Sequence, residues 1–345
     1  MVMQGFFTDN RHPMHRLEIY ILVYGAILLC LAFLSPIAFA VVLASFAIIV
    51  VLEPFVSWLQ TSRKIGHTTA HIIALLVFFA AILLLFLFLL PNTIREANGF
   101  FRFLNDFFTQ KQWQPFFKKH PELMETLSPT IEKIYPKLMV NFDRFMLDIQ
   151  RSSMTILSFI FYTLLVTVYW SFFFKSFKAV SLSLFPVSIR DEAAMFLKEL
   201  YYQLKRYLFA LVVVATIVGI IFGVFLTIIG SRYSVILGFW AFFTNFIPIV
   251  GVIFEIIPLF ILCFSLGIGK SIALLLAVGI IHPFAFILFL NLMKGAIQIN
   301  PVVIILLILV FSQLFGIVGS IIAVPAGIVI RVYWRSFIAP RLAAG

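Results

Sequence analysis

Between Ser234 and Trp334 the sequence holds a single carboxylate, Glu255. It stands in an otherwise apolar run, Val250-Gly-Val-Ile-Phe-Glu255-Ile-Ile-Pro258. An ionisable group placed in lipid costs several kcal/mol, which makes it a functional hypothesis by default. In one reading Glu255 takes up a proton or helps hold a cation. In the other it lies nearer an interface or pairs structurally with Lys270 or Lys294, since buried ion pairs also serve as structural devices. Two amides, Asn245 and Gln313, offer donors and acceptors suited to a small hydroxylated solute. Amides also join membrane helices without touching a ligand. His282 precedes Pro283 and is placed either to relay protons or to satisfy the carbonyl that the proline frees. Ser312, Ser320, Asn291, Gln298 and Asn300 are further polar groups in the same region, and Glu53 beside Pro54 reads as a helix-end residue at an interface.

The element that carries these residues occurs twice. The first copy is Asn245-Phe-Ile-Pro248-Ile-Val-Gly251, with an apolar run to Pro258. The second is Gln313-Leu-Phe-Gly316-Ile-Val-Gly319, with an apolar run to Pro325. Each has an amide, a helix breaker three residues on, then Ile-Val-Gly. The legs around the first copy, Ser234 to Gly251 and Val252 to Ile268, are roughly 17 residues each. That is about 25 Å of helix, where a bilayer core needs about 30 Å. Interrupted backbone is tolerated in lipid only where protein or a watery cavity covers it. The spacing therefore predicts two broken helical hairpins with Gly251 and Gly319 near their tips, meeting near the bilayer midplane. Such pairs of interrupted segments mark the binding sites of secondary transporters. Asn245, Pro248, Gly251, Gln313, Gly316 and Gly319 are the expected substrate-binding residues, and Glu255 and His282 the expected ion-coupling residues.

The rest of the chain has to hold these hairpins in a membrane. Of its 345 residues 63% are hydrophobic and 11% charged, which excludes a soluble globule. The net charge of +11 is confined to loops between spans, so it reports orientation and not a nucleic-acid partner. Cys30 and Cys263 lie in separate apolar runs with no metal-type spacing. Nucleotide, zinc and serine-nucleophile motifs are absent, so neither an enzyme nor a cofactor is expected. The first apolar run leads directly into a second without a cleavage site, and no removable signal peptide is expected.

The expected organisation is a cytoplasmic arm at 1–18, three transmembrane helices at 19–91 and an extracytoplasmic helical domain at 92–152. A fourth span with a cytoplasmic connector at 153–206, the two-hairpin core at 207–334 and a cytoplasmic tail at 335–345 complete it. The fold class is all-α and polytopic, with about eight membrane segments and the two hairpins as an inverted repeat. In the outer domain Phe100, Phe103, Leu104, Phe107 and Phe108 form one stripe. Ile131, Tyr135, Leu138, Phe142, Phe145 and Ile149 form another, which either packs on the first or contacts another subunit. The connector's Phe196, Leu197, Leu200 and Leu204 suggest a helix along the inner surface. Gly219-Ile-Ile-Phe-Gly223 permits close helix approach. Basic residues in the short loops place both termini inside.

Asn245-Phe-Ile-Pro-Ile-Val-Gly251, Asn300-Pro301-Val-Val-Ile, Leu314-Phe-Gly-Ile-Val-Gly319 and Ala323-Val-Pro-Ala326 resemble the AI-2E transporter family, as do Glu53-Pro54-Phe-Val and Tyr207-Leu208. The resemblance covers nearly the whole chain. It implies a bacterial inner-membrane transporter that forms homo-oligomers, with quorum-signal export or sodium/proton antiport attributed to different members. The pattern departs at Phe209-Ala210, where members carry Gly-Gln, and at His282-Pro283, where they carry a more polar segment. The expected partners are a small-molecule or ion substrate and membrane lipid. A sodium/proton antiporter and a non-transporting scaffold, whose outer domain recruits partners, are the alternatives.

Overall fold

Long apolar runs with few interior breakers fold here as helices, because a helix satisfies its own backbone without water. The computed structural model describes residues 11–117, 121–151, 153–248, 250–294 and 300–344. Every regular element in them is helical. In chain order the α-helices are α1 (Arg11–Leu34), α2 (Pro36–Ser62), α3 (His67–Thr109), α4 (Gln114–Phe117), α5 (Pro121–Arg151) and α6 (Ser153–Ser183). Then follow α7 (Arg190–Ile228), α8 (Ser234–Thr244), α9 (Val250–Leu266), α10 (Ile268–Leu292), α11 (Pro301–Tyr333) and α12 (Ala339–Ala344). Among the described residues six helical stretches are long and apolar enough to cross a membrane: Arg16–Leu34, Pro36–Ser62, His67–Leu84, Val187–Ile228, Ile268–Leu292 and Val318–Leu342. Leu157–Phe173, α8, α9 and Pro301–Gly316 are shorter apolar helices. The chain is an all-α polytopic membrane protein.

Two helices run past the ends that hydropathy suggests. α3 continues through Pro91 to Thr109, 43 residues or about 65 Å, so the third span and the first stripe of the outer stretch are one rod. The connector does not make a separate surface helix. α7 is 39 residues without a break, because neither glycine nor proline occurs between Arg190 and Gly219 to end it.

The chain divides into two compact units. The first comprises Met1–Phe78, Phe161–Val213 and Phe289–Gly345. Within it Val56, Leu59, Ala70 and Ala74 form a small core joined by Phe55, Ile65 and Ile73. Thr163, Thr167 and Ser171 make a buried polar stripe along α6. Thr167 and Ser171 return their hydroxyl protons to carbonyls one turn back. Ser45 of α2 donates to Thr163 O at 3.1 Å, the kind of hydroxyl contact that joins helices in lipid. Glu18 accepts from Tyr333 at 2.7 Å and pairs with Arg341, tying the start of α1 to the chain's end.

The second unit comprises Phe79–Ile160 and Val214–Leu288. α7 and α8 meet through Gly219, Gly223 and Gly238, as the glycine spacing leads one to expect. A Cβ on Gly238 would lie 2.9 Å from Gly223 Cα, so the backbones themselves are in contact. The extension of α3 packs on both outer ends of the first hairpin. Phe100 and Phe103 lie against Tyr233, with ring centroids 5.1 and 5.8 Å away, and Phe107 lies 5.3 Å from Phe264. It also packs on α5, where Phe108 stacks on Tyr135, whose hydroxyl donates to Asn105 at 2.7 Å. The side chains of Leu138, Phe142, Phe145 and Ile149 in the second stripe lie outside the described residues, as does Gln298.

Candidate functional site

The first hairpin is α8, a turn, and α9. α8 has 11 residues and α9 has 17, about 16 and 25 Å, so neither leg spans a 30 Å core. The turn forms because Pro248 cannot extend α8, and its carbonyl instead accepts from Val250 N at 2.7 Å. Gly251 then lets α9 start hard against the end of α8. A Cβ there would fall 1.8 Å from the Thr244 carbonyl oxygen. The second hairpin repeats this within α11. Gly316 breaks the helix with φ 62 and ψ −143, a conformation open essentially to glycine alone. A Cβ on Gly319 would fall 1.9 Å from the Phe311 oxygen. The sequence repeat is thus a structural repeat, with a glycine in each copy pressed on a carbonyl of the preceding leg.

Pro258 gives the first hairpin its brace. A proline cannot donate to the carbonyl four residues back, which frees Phe254 O inside α9. The Trp240 indole of α8 donates to that oxygen at 2.9 Å, joining the two legs. At the outer end, Glu96 of α3 accepts from Val235 N at 2.8 Å and Ile236 N at 3.0 Å. It caps the start of α8, where unpaired N–H groups and the helix dipole favour an anion. Tyr233 donates to Gly99 O at 3.2 Å beside it. Burial raises the Tyr233 pKa, opposed by Arg232 and assisted by Asp106, so the phenol stays protonated and keeps its role as donor.

Three of the residues singled out from the sequence come together inside this frame. Asn245 Nδ2 donates to Glu255 Oε2 at 2.6 Å and to Ala241 O at 2.7 Å. His282 Nε2 of α10 lies 3.5 Å from Glu255 Oε1. Glu255 is wholly buried, and the Phe222 ring of α7, also wholly buried, lies 5.7 Å from the imidazole. The carboxylate's partners are therefore an amide and an imidazole, not a lysine. Lys270 reaches instead toward Gly230. His282 turns its Nε2 toward the acid.

Gln313, Gly316 and Gly319 belong to the other unit. Gln313, the counterpart of Asn245, is exposed, and Ala323, the counterpart of Glu255, is fully buried. The second hairpin thus repeats the backbone and not the carboxylate. Asn300 Oδ1 accepts from Val302 N at 2.9 Å and caps α11, while Ser312 donates to Leu309 O. Two contributors escape a reading of the sequence. Glu96 lies 139 residues from Val235, and no spacing rule links them. Trp240 had a local signal, an indole one hairpin leg away from a mid-helix proline, since Pro258 guarantees a free carbonyl for some donor.

An all-helical membrane protein with two interrupted apolar hairpins, one holding a buried carboxylate, has an architecture in keeping with a membrane transporter. A model described as AI-2E family transporter matches residues 19–338, and the chain belongs to that family. A protein of Thermotoga maritima named "Putative transport protein" is 32% identical over 310 residues, covering 90% of this chain and 91% of the relative. "Putative transport protein YueF" of Bacillus subtilis is 23% identical over 320 residues, 89% of this chain and 86% of the relative. "Putative transport protein YrrI" of the same organism is 30% identical over 157 residues, 45% and 44% of the two chains. The family and these relatives are described as transporters and not as enzymes, and membrane transport is the class of activity they support.

Proposed function

We propose that this chain is an ion-coupled secondary transporter that exports a small polar solute, of the quorum-signal kind, across the bacterial inner membrane. Both termini are then cytoplasmic, and assembly as a homo-oligomer belongs to the same reading. Solute class, direction and assembly are carried over from the family resemblance. The ion coupling rests on one observation, the wholly buried Glu255 held in a broken hairpin by Asn245 and faced by His282. A carboxylate so placed changes its charge or its partner when an ion arrives, and the short legs of the hairpin give that change something to move. In this reading Asn245 reports the state of the acid to α8, while Gly251 and Pro248 keep the tip compact.

The test is a comparison of intracellular and extracellular small molecules in a strain lacking the protein, complemented with wild type or with Glu255→Gln. Solutes that build up inside the deletion strain should be exported again by wild type and at least tenfold more slowly by the variant. Export by Glu255→Gln at the wild-type rate would remove Glu255 from the mechanism. Sodium/proton antiport is the second reading, carried over from the family resemblance. Everted vesicles given a sodium pulse would then lose a preformed proton gradient with no organic solute present.

A further inference from the structure

Glu255 Oε1 and His282 Nε2 are both buried, and among the described residues neither has a hydrogen-bond partner. They face each other at 3.5 Å. Buried polar atoms are as a rule paired, and two orphans aimed at one another are relieved by the same event. A proton on Nε2 turns the imidazole into a donor toward the carboxylate. A proton on Oε1 turns the acid into a donor toward the neutral ring. We infer that the ion taken up in this hairpin is a proton shared between Glu255 and His282, and that the site takes neither sodium nor another metal cation. This deepens the ion-coupled reading and rests on it only for the claim that uptake drives transport.

Among the described residues the oxygens in contact with this pair suit a hard cation poorly. Such ions gather several oxygen ligands. Glu255 Oε2 already accepts from Asn245. The Asn245 amide has two acceptors on its nitrogen, Ala241 O and Glu255 Oε2, so its NH2 and not its carbonyl faces the acid. The carbonyl that Pro258 frees on α9 is taken by Trp240. From this set only Oε1 is left to offer. A transition metal accepts imidazole but needs further protein ligands. Among the described residues no group of three His, Cys, Asp or Glu side chains is placed to hold one.

The groups that face the acid from its neighbours are few. α8 presents the neutral Asn245 amide and α10 presents His282, behind which α7 sets the Phe222 ring. Among the described residues the ion-pair contact of Glu255 is with His282, so a proton is the charge that balances the buried carboxylate. The step balances simply. An O–H bond of a hydronium ion breaks as one O–H or N–H bond forms on the pair, leaving water; the charge of the pair rises by one, and release to water reverses both changes.

Infrared difference spectroscopy of the full chain in nanodiscs, through an acid step in sodium-free choline buffer, reads this without any solute. Wild type should gain a carboxylic-acid band that is lost in Glu255→Gln, displaced in Glu255→Asp and displaced again in His282→Gln, or an imidazolium band where the proton rests on the ring; gain of neither overturns the proposal. Sodium chloride added at constant ionic strength should leave the band in place. A band that survives Glu255→Gln, or that sodium abolishes in wild type, overturns the proposal. An unchanged band in His282→Gln overturns the sharing. Glu255→Asp keeps the carboxyl and guards against a variant that merely fails to fold. A proton band without ion-coupled export would sink the transport reading alone, and export driven by sodium through Glu255 would sink this one alone.

Discussion

Gly251 and Gly319 occupy positions where a methyl group has nowhere to go. The atoms in the way are backbone carbonyl oxygens at 1.8 and 1.9 Å, which cannot rotate aside like a side-chain end. Alanine at either position must push two helix legs apart, at a cost of about 1–3 kcal/mol or more from overpacking. Gly316→Ala adds strain of about 1–3 kcal/mol through its φ of 62. Gly269 and Gly279 have open space where a Cβ would go, so alanine there should be neutral or slightly stabilising. Thermal unfolding in detergent, followed by size-exclusion chromatography, should show lower midpoints for the three tip variants and none for the two controls. Equal midpoints for all five would mean that the legs are not held in contact at the tips. Glu255, Asn245 and His282 were individually legible as residue types that apolar segments rarely carry. Their meeting was not, because the register between α9 and α10 depends on how the turn at Gly267 is closed. Ser271 closes it, donating to Cys263 O at 2.6 Å and Gly267 O at 2.8 Å.

The hairpins as elements were readable from the doubled motif, since a proline or a glycine at the same place in two apolar runs breaks both helices for the same backbone reason. The long rods were not. Hydropathy marks where lipid begins and ends, whereas a helix ends only where its hydrogen-bond ladder does, so α3 and α7 run on beyond their apolar stretches. The extension of α3 matters because it carries Glu96. Replacing Glu96 with alanine removes the acceptor of two N–H bonds and the charge at the start of α8, a loss of about 1–2 kcal/mol. Glutamine keeps an acceptor and should lose less. Hydrogen exchange should then speed up across residues 234–238 in Glu96→Ala, with Glu96→Gln intermediate and α10 unchanged. Uniform acceleration over the whole chain would show general destabilisation and not the loss of a cap.

At the scale of the whole molecule, charge predicts the orientation in the bilayer. The short loop after α2 carries Arg63 and Lys64, and the end of the chain carries Arg331, Arg335 and Arg341. The turns at the opposite ends of the spans hold Arg232 and Lys270. Long extramembrane stretches such as 92–152 cross largely regardless of charge, so their basic residues carry little weight. The bias therefore predicts that the loop after α2 and the chain's end face the cytoplasm and the α3 extension the outside. With that orientation an 11-residue α8, too short to cross, predicts a first hairpin that dips from the outer side and returns there, which leaves the assignment of every later loop intact. Single cysteines at Arg63 and at Lys111, introduced after Cys30→Ser and Cys263→Ala, separate the two faces. A membrane-impermeant maleimide applied to intact spheroplasts should label the cysteine at position 111, exposed at the end of α3, and reach position 63 only after permeabilisation. The reverse pattern would put the mouth of the first hairpin on the cytoplasmic side, and a proton taken up there by Glu255 would be drawn from the cytoplasm.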